Sequence, residues 1–72
     1  MERFLIFSEL ILDCKEKEIV DCGKVLFVNP QNITFIDEHE QNKNVMLIHF
    51  TQGQFVSVWK REVENYRENG RI

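Results

Sequence analysis

The run VMLIHFTQGQFVSVW, from Val45 to Trp59, restricts the fold more than any other stretch of this chain. Two blocks rich in β-branched and aromatic residues, VMLIHF and QFVSVW, flank Thr51-Gln52-Gly53, and Gly53 is free to take the positive φ of a short hairpin connection. In the first block Met46, Ile48 and Phe50 alternate with Val45, Leu47 and His49, so both faces of that strand are largely apolar. In the second, Phe55, Ser57 and Trp59 alternate with Val56 and Val58, and only Ser57 is plainly polar. A strand apolar on both faces needs cover on both, from a central place in a sheet, from closure into a barrel or from another copy.

Upstream, KVLFVN reads as a strand, Asn29-Pro30-Gln31-Asn32 as a turn, and ITFID as the start of the next strand. Proline presets φ and lacks a ladder donor, while asparagine tolerates left-handed backbone. Glu38 to Asn44 has no apolar residue to bury and reads as a solvated hairpin loop. After Trp59 the period changes, because Val63 and Tyr66 fall on one helical face and Asn69-Gly70 is a stop signal. The N-terminal RFLIFSELILDC is read as strand, although its pattern also admits a helix, and KEKEIVDCG as an exposed strand edge or loop ending at Gly23. The expected architecture is α+β, a small bent antiparallel sheet or partial β-barrel of four or five strands with one C-terminal helix. Its expected core is Phe27, Ile33, Phe35, Met46, Ile48, Phe50, Val56, Val58 and Val63.

Seventy-two residues make a single domain, 1–72, and a chain so short removes only about 60% of its unfolded surface from water when it folds alone. With 43% apolar residues, among them six Phe and one Trp, some large side chains have no place inside one protomer. A homo-oligomer is expected, joined through the strand edge of the N-terminal FLIFSELIL. The net charge of −3 disfavours non-specific nucleic-acid binding, which relies on excess Lys and Arg. The N-terminal apolar run is too short for a bilayer and is interrupted by Ser8 and Glu9, so a cytoplasmic location is expected, with no membrane partner.

No phosphate loop, nucleophile elbow or HExxH helix occurs. Cys14 and Cys22, with His39 and His49, match no common metal or redox spacing, so they read as reduced thiols and unrelated histidines, with no metal and no cofactor. Asp37, Glu38 and Glu40 sit in a polar stretch that supplies no pocket to shift their pKa values. These absences argue against an enzyme. One constellation remains for ligand binding: Trp59, Lys60 and Arg61 at the strand-to-helix junction, with Tyr66 beyond them. Helix-start N–H groups and two cations attract an anion, and an aromatic face can stack on a base.

From about Val25 to Asn65 the order VNPQNITFID, polar gap, VMLIHFTQGQFVSV and charged helix resembles the FlbD/SwrD family of small flagellar and swarming-motility proteins. Asn29, Ile33, Ile36, Gly53, Val56, Val58 and Val63 occupy corresponding positions, whereas Gln52 stands where that family has Asn, and the first 24 residues have no counterpart. The same order also resembles LytTR hairpins and small phage proteins. The resemblance implies a small non-enzymatic accessory protein of a bacterial cell or a phage-infected host. Three functions follow as expectations: an oligomeric protein-binding accessory or inhibitor; a phage-type binder that sequesters a small anionic nucleotide signal; and, opposed by net charge, a LytTR-like DNA-binding regulator.

Overall fold

Alternating apolar residues are realised as strands along most of the chain, and the first change of period brings the helix. The computed structural model describes residues 4–13, 15 and 18–72. In chain order they form β1 (Leu5–Asp13), β2 (Glu18–Val28), a 3-10 turn (Pro30–Asn32), β3 (Ile33–Glu38), β4 (Val45–Phe50), β5 (Phe55–Trp59) and the helix α1 (Lys60–Glu68). The five strands make one open antiparallel sheet in the order β2-β1-β5-β4-β3. The small α+β architecture is therefore as expected. No helix of the described residues is long and apolar enough to cross a membrane.

The central hairpin forms as its sequence requires. β4 and β5 pair from Val45↔Trp59 to His49↔Phe55, and at the turn Phe50 N–H donates to the Gln54 carbonyl at 2.8 Å while Gly53 takes φ 88°. The segment Asn29–Asn32 is also a turn, with the Asn29 side chain accepting from Gln31 N–H at 3.0 Å. Its task differs from a hairpin turn, because β2 and β3 are the two edges of the sheet. Four strand spacings of about 4.8 Å separate the edges of a flat five-stranded sheet, about 19 Å in all. The five steps from Val28 to Ile33 reach at most about 18 Å even fully extended, and a 3-10 turn shortens them. The sheet must therefore curl at this end, which agrees with Phe27 and Val28 lying beside Phe50 and Thr51 around one small cleft.

One face of the sheet packs on α1 around Leu5, Phe7, Val28, Met46, Ile48, Val58 and Val63, all buried, with Ile33, Ile36, Phe50, Val56 and Tyr66 against them. Two expected core residues are corrected: Phe27 is 69% exposed and Phe35 52%. In β2 the inward positions are Leu26 and Val28, one residue out of phase with the expected Phe27. In β3 a register shift between Ile33 and Phe35 lets Ile33 and Ile36 both face the core and turns Phe35 outward. Leu5 and Phe7 supply core volume that the reading of the C-terminal half could not provide.

β1 is strand, and it lies inside the sheet. Its edge is therefore not the free one expected to meet a second copy; the free edges belong to β2 and β3. Against β5 it makes the single ladder pair Leu10↔Ser57. Two residues nearer the N-terminus the ladder would reach Trp59, and two further it would need Arg61, which is already helical. Side chains of α1 take over there. Tyr66 Oη accepts from Ile6 N–H at 2.8 Å and donates to the Ile6 carbonyl at 3.1 Å, and Glu62 Oε1 accepts from Ser8 N–H at 3.1 Å. Beyond the helix, Arg71 Nη2 donates to the Phe4 carbonyl at 3.3 Å. The Tyr66 ring meets Phe7 edge-on at 5.3 Å, so the same residue fills the core and satisfies a strand.

Candidate functional site

The junction of β5 and α1 brings together three of the four residues singled out for ligand binding. Trp59, Lys60 and Arg61 line an open cleft of about 210 Å³ with Asn44 and Glu64. The Lys60 N–H donates to the Asn44 carbonyl at 2.7 Å, so the first helical donor is already used. The Arg61 guanidinium lies 5.3 Å over the Trp59 ring, so each occupies the other's recognition surface. Glu64 adds one carboxylate to the two cations, which weakens the cleft's pull on an anion. Tyr66 is elsewhere: its hydroxyl holds β1 and its ring faces Phe7 and the Arg71 guanidinium.

The face of the sheet opposite α1 is the larger feature. Directly opposed residues of an antiparallel pair share a face, so the pairs Phe35↔His49 and His49↔Phe55 form one row. Leu10↔Ser57 places β1 in the same frame; two residues on, Leu12 shares the face of Phe55, and it pairs with Ile19 of β2. The row Ile19, Leu12, Phe55, His49, Phe35 thus spans all five strands. Leu12 is 61% exposed and Phe55 58%, matching Phe35. Within it His49 stacks on Phe35 with ring centroids 4.1 Å apart and planes 14° from parallel, and lies 5.7 Å from Phe55. The His49 Nε2 atom is buried with no hydrogen-bond partner among the described residues. Toward the N-terminal end of β1 the same face carries Ile6 paired with Phe27, and Val25 opposite Ser8, all three apolar residues half or more exposed.

The reading from sequence found the ingredients of this face without its phase. The apolarity of both faces of β4 points to it, and the alternation separates His49 from Ile48 and Phe55 from Val56. Leu12 and Phe35 escaped because no local signal says that β1 enters beside β5 or that β3 shifts register. Among the described residues no group of three His, Cys, Asp or Glu could hold a metal ion. Cys22 is a free, half-buried thiol 3.6 Å from Glu9 Oε1, and Cys14 lies outside the described residues. No protein-family model, no curated protein and no solved structure matches this chain.

Proposed function

We propose that this protein is a small, non-enzymatic, oligomeric binding module of the cytoplasm, an accessory or inhibitory protein that docks a protein partner on the outer face of a half-barrel-like sheet. The observation that carries the reading is the row across five strands, in which Leu12, Phe55 and Phe35 are exposed and Ile19 and His49 half-buried, with exposed Ile6, Val25 and Phe27 on the same face. Six exposed large apolar side chains on one face of so small a domain support an interaction surface there. Phe27, Phe35 and Phe55 are among them, and aromatic side chains are enriched at protein interfaces.

The nucleotide-binding alternative keeps one observation in its favour, the gathering of Trp59, Lys60 and Arg61 around one cleft. One pair of variants separates the two. Phe55→Lys introduces a charge into the outer row, and Lys60→Ala with Arg61→Ala empties the cleft of cations while touching exposed or half-buried side chains only. Protein capture from a cell extract that is lost with Phe55→Lys and kept with the double variant supports the proposal. A thermal shift with linear or cyclic nucleotides, about 2.7 kcal/mol at 100 times the dissociation constant, that vanishes in the double variant supports the alternative instead.

A further inference from the structure

We infer that β3 is the strand through which two copies of this chain join, edge to edge about a twofold axis, with Arg67 of each copy paired to Glu38 of the other. This rests on the proposed oligomeric reading and specifies its contact. β3 ends the sheet, and among the described residues the backbone groups of Thr34 to Asp37 make no hydrogen bond on the open side. Such an edge is a template for another strand.

Charge decides the occupant. An open cavity of about 460 Å³ runs beside the edge, and its lining combines Ile33, Thr34, Phe35 and Ile36 with Arg67 and Arg71. Phe35 faces outward and Ile36 inward, so the cavity wraps round the strand rather than lying on one face. Pro30 and Ile72 complete the lining, and no Asp or Glu side chain is part of it, in a chain whose acidic residues outnumber its basic ones twelve to nine. Arg71 is engaged by the Phe4 carbonyl and the Tyr66 ring, whereas the Arg67 side chain makes no hydrogen bond or ion pair among the described residues. The far end of the same strand is acidic, Asp37 and Glu38, both exposed.

A twofold axis turns that polarity into complementarity. Opposed residues must share a face, so the axis passes through a residue rather than between two, and the residues at the middle of β3 are Phe35 and Ile36. In either register Glu38 of the second copy passes the Asn32–Thr34 end, where Arg67 borders the cavity, and the contact occurs twice by symmetry. Two five-stranded sheets become one, with Phe35 at or beside the axis. The other free edge, β2, is less suited: its register shifts opposite Ser8 and Leu10, Gly23 takes φ 82° within it, and Lys24 follows.

Sedimentation and light scattering from about 1 µM to about 1 mM, the range of weak dimers, test the inference. The wild type is expected to be a dimer whose dissociation constant rises at least about tenfold in Arg67→Glu and in Glu38→Arg, and returns toward wild type when the two are combined. Arg67→Gln, which loses the charge without reversing it, is expected to fall between. Hydrogen exchange at Thr34 to Glu38 should slow as protein concentration rises. A monomer throughout this range overturns the inference, as does a double variant no tighter than either single one. Protection appearing along Glu18–Val28 instead overturns it as well. If Phe55→Lys dissolves the dimer while Arg67→Glu leaves it intact, the outer face is the self-contact and β3 is not. Protein capture through the outer face is read separately, so its failure leaves the dimer result standing.

Discussion

Tyr66→Phe removes one oxygen atom and with it both hydrogen bonds to Ile6, one accepted from the amide at 2.8 Å and one donated to the carbonyl at 3.1 Å. The ring stays, so the edge-on contact with Phe7 and the packing on the core are retained. Each bond contributes about 1 kcal/mol net, and two would give about 2 kcal/mol. Ile6 is half exposed, so water can replace part of what is lost, and the expected destabilisation is about 1 to 1.5 kcal/mol. A chain of this length has a total stability of about 4 to 11 kcal/mol, so the change is a sizeable fraction of it. Urea unfolding should show a lower midpoint with an unchanged slope, and the melting temperature should fall by about 4 to 8 °C per kcal/mol. Amide exchange gives the local readout. The Ile6 N–H should exchange faster than the global loss of stability alone requires, while amides of the β4–β5 hairpin follow the global change. A midpoint within error of wild type, with Ile6 exchange unchanged, would refute the view that α1 side chains complete the edge of β1.

Ile48→Asp places a carboxylate at a fully buried position among apolar neighbours, and the expected loss of more than about 4 kcal/mol is comparable with the whole stability, so no soluble folded protein should be recovered. Cooperative unfolding near the wild-type midpoint would contradict the burial of that side chain. His49→Phe should stabilise the fold by up to about 1 kcal/mol, because it removes a buried nitrogen without a partner and continues the aromatic row. Denaturant unfolding checks this, and a loss of stability would mean that Nε2 is satisfied in solution.

How much of this was legible depended on whether the deciding interaction was local. The hairpin around Gly53, the turn at Asn29–Asn32 and the helix after Trp59 rest on turn chemistry and periodicity within a few residues, and each formed where it was read. Phe27 and Phe35 were misplaced for a different reason. A strand's inward phase is set by its neighbours, and a single register shift, as between Ile33 and Phe35, reverses it without any mark in composition. The candidate site divides along the same line. Trp59, Lys60 and Arg61 are consecutive and were bound to lie together, whereas Tyr66 was drawn away by a strand sixty positions earlier. The outer row joins residues of all five strands, so it exists only once the strand order is known.

The dependence of β1 on α1 also orders events in time. Ile6 and Tyr66 are separated by 60 positions, and Ser8 and Glu62 by 54, so these contacts close some of the longest loops among the described residues. On a ribosome β1 and β2 can pair early, but the second edge of β1 stays open until α1, which follows all five strands, has emerged. During that interval the nascent chain presents an unsatisfied edge flanked by Phe4 and Ile6, which invites pairing with another unfinished chain. Slow translation of β5 and α1 would lengthen the exposure, and a ribosome-associated chaperone holding β1 would shield it. The contact that makes the fold whole is therefore also the one that fixes when the chain stops being vulnerable.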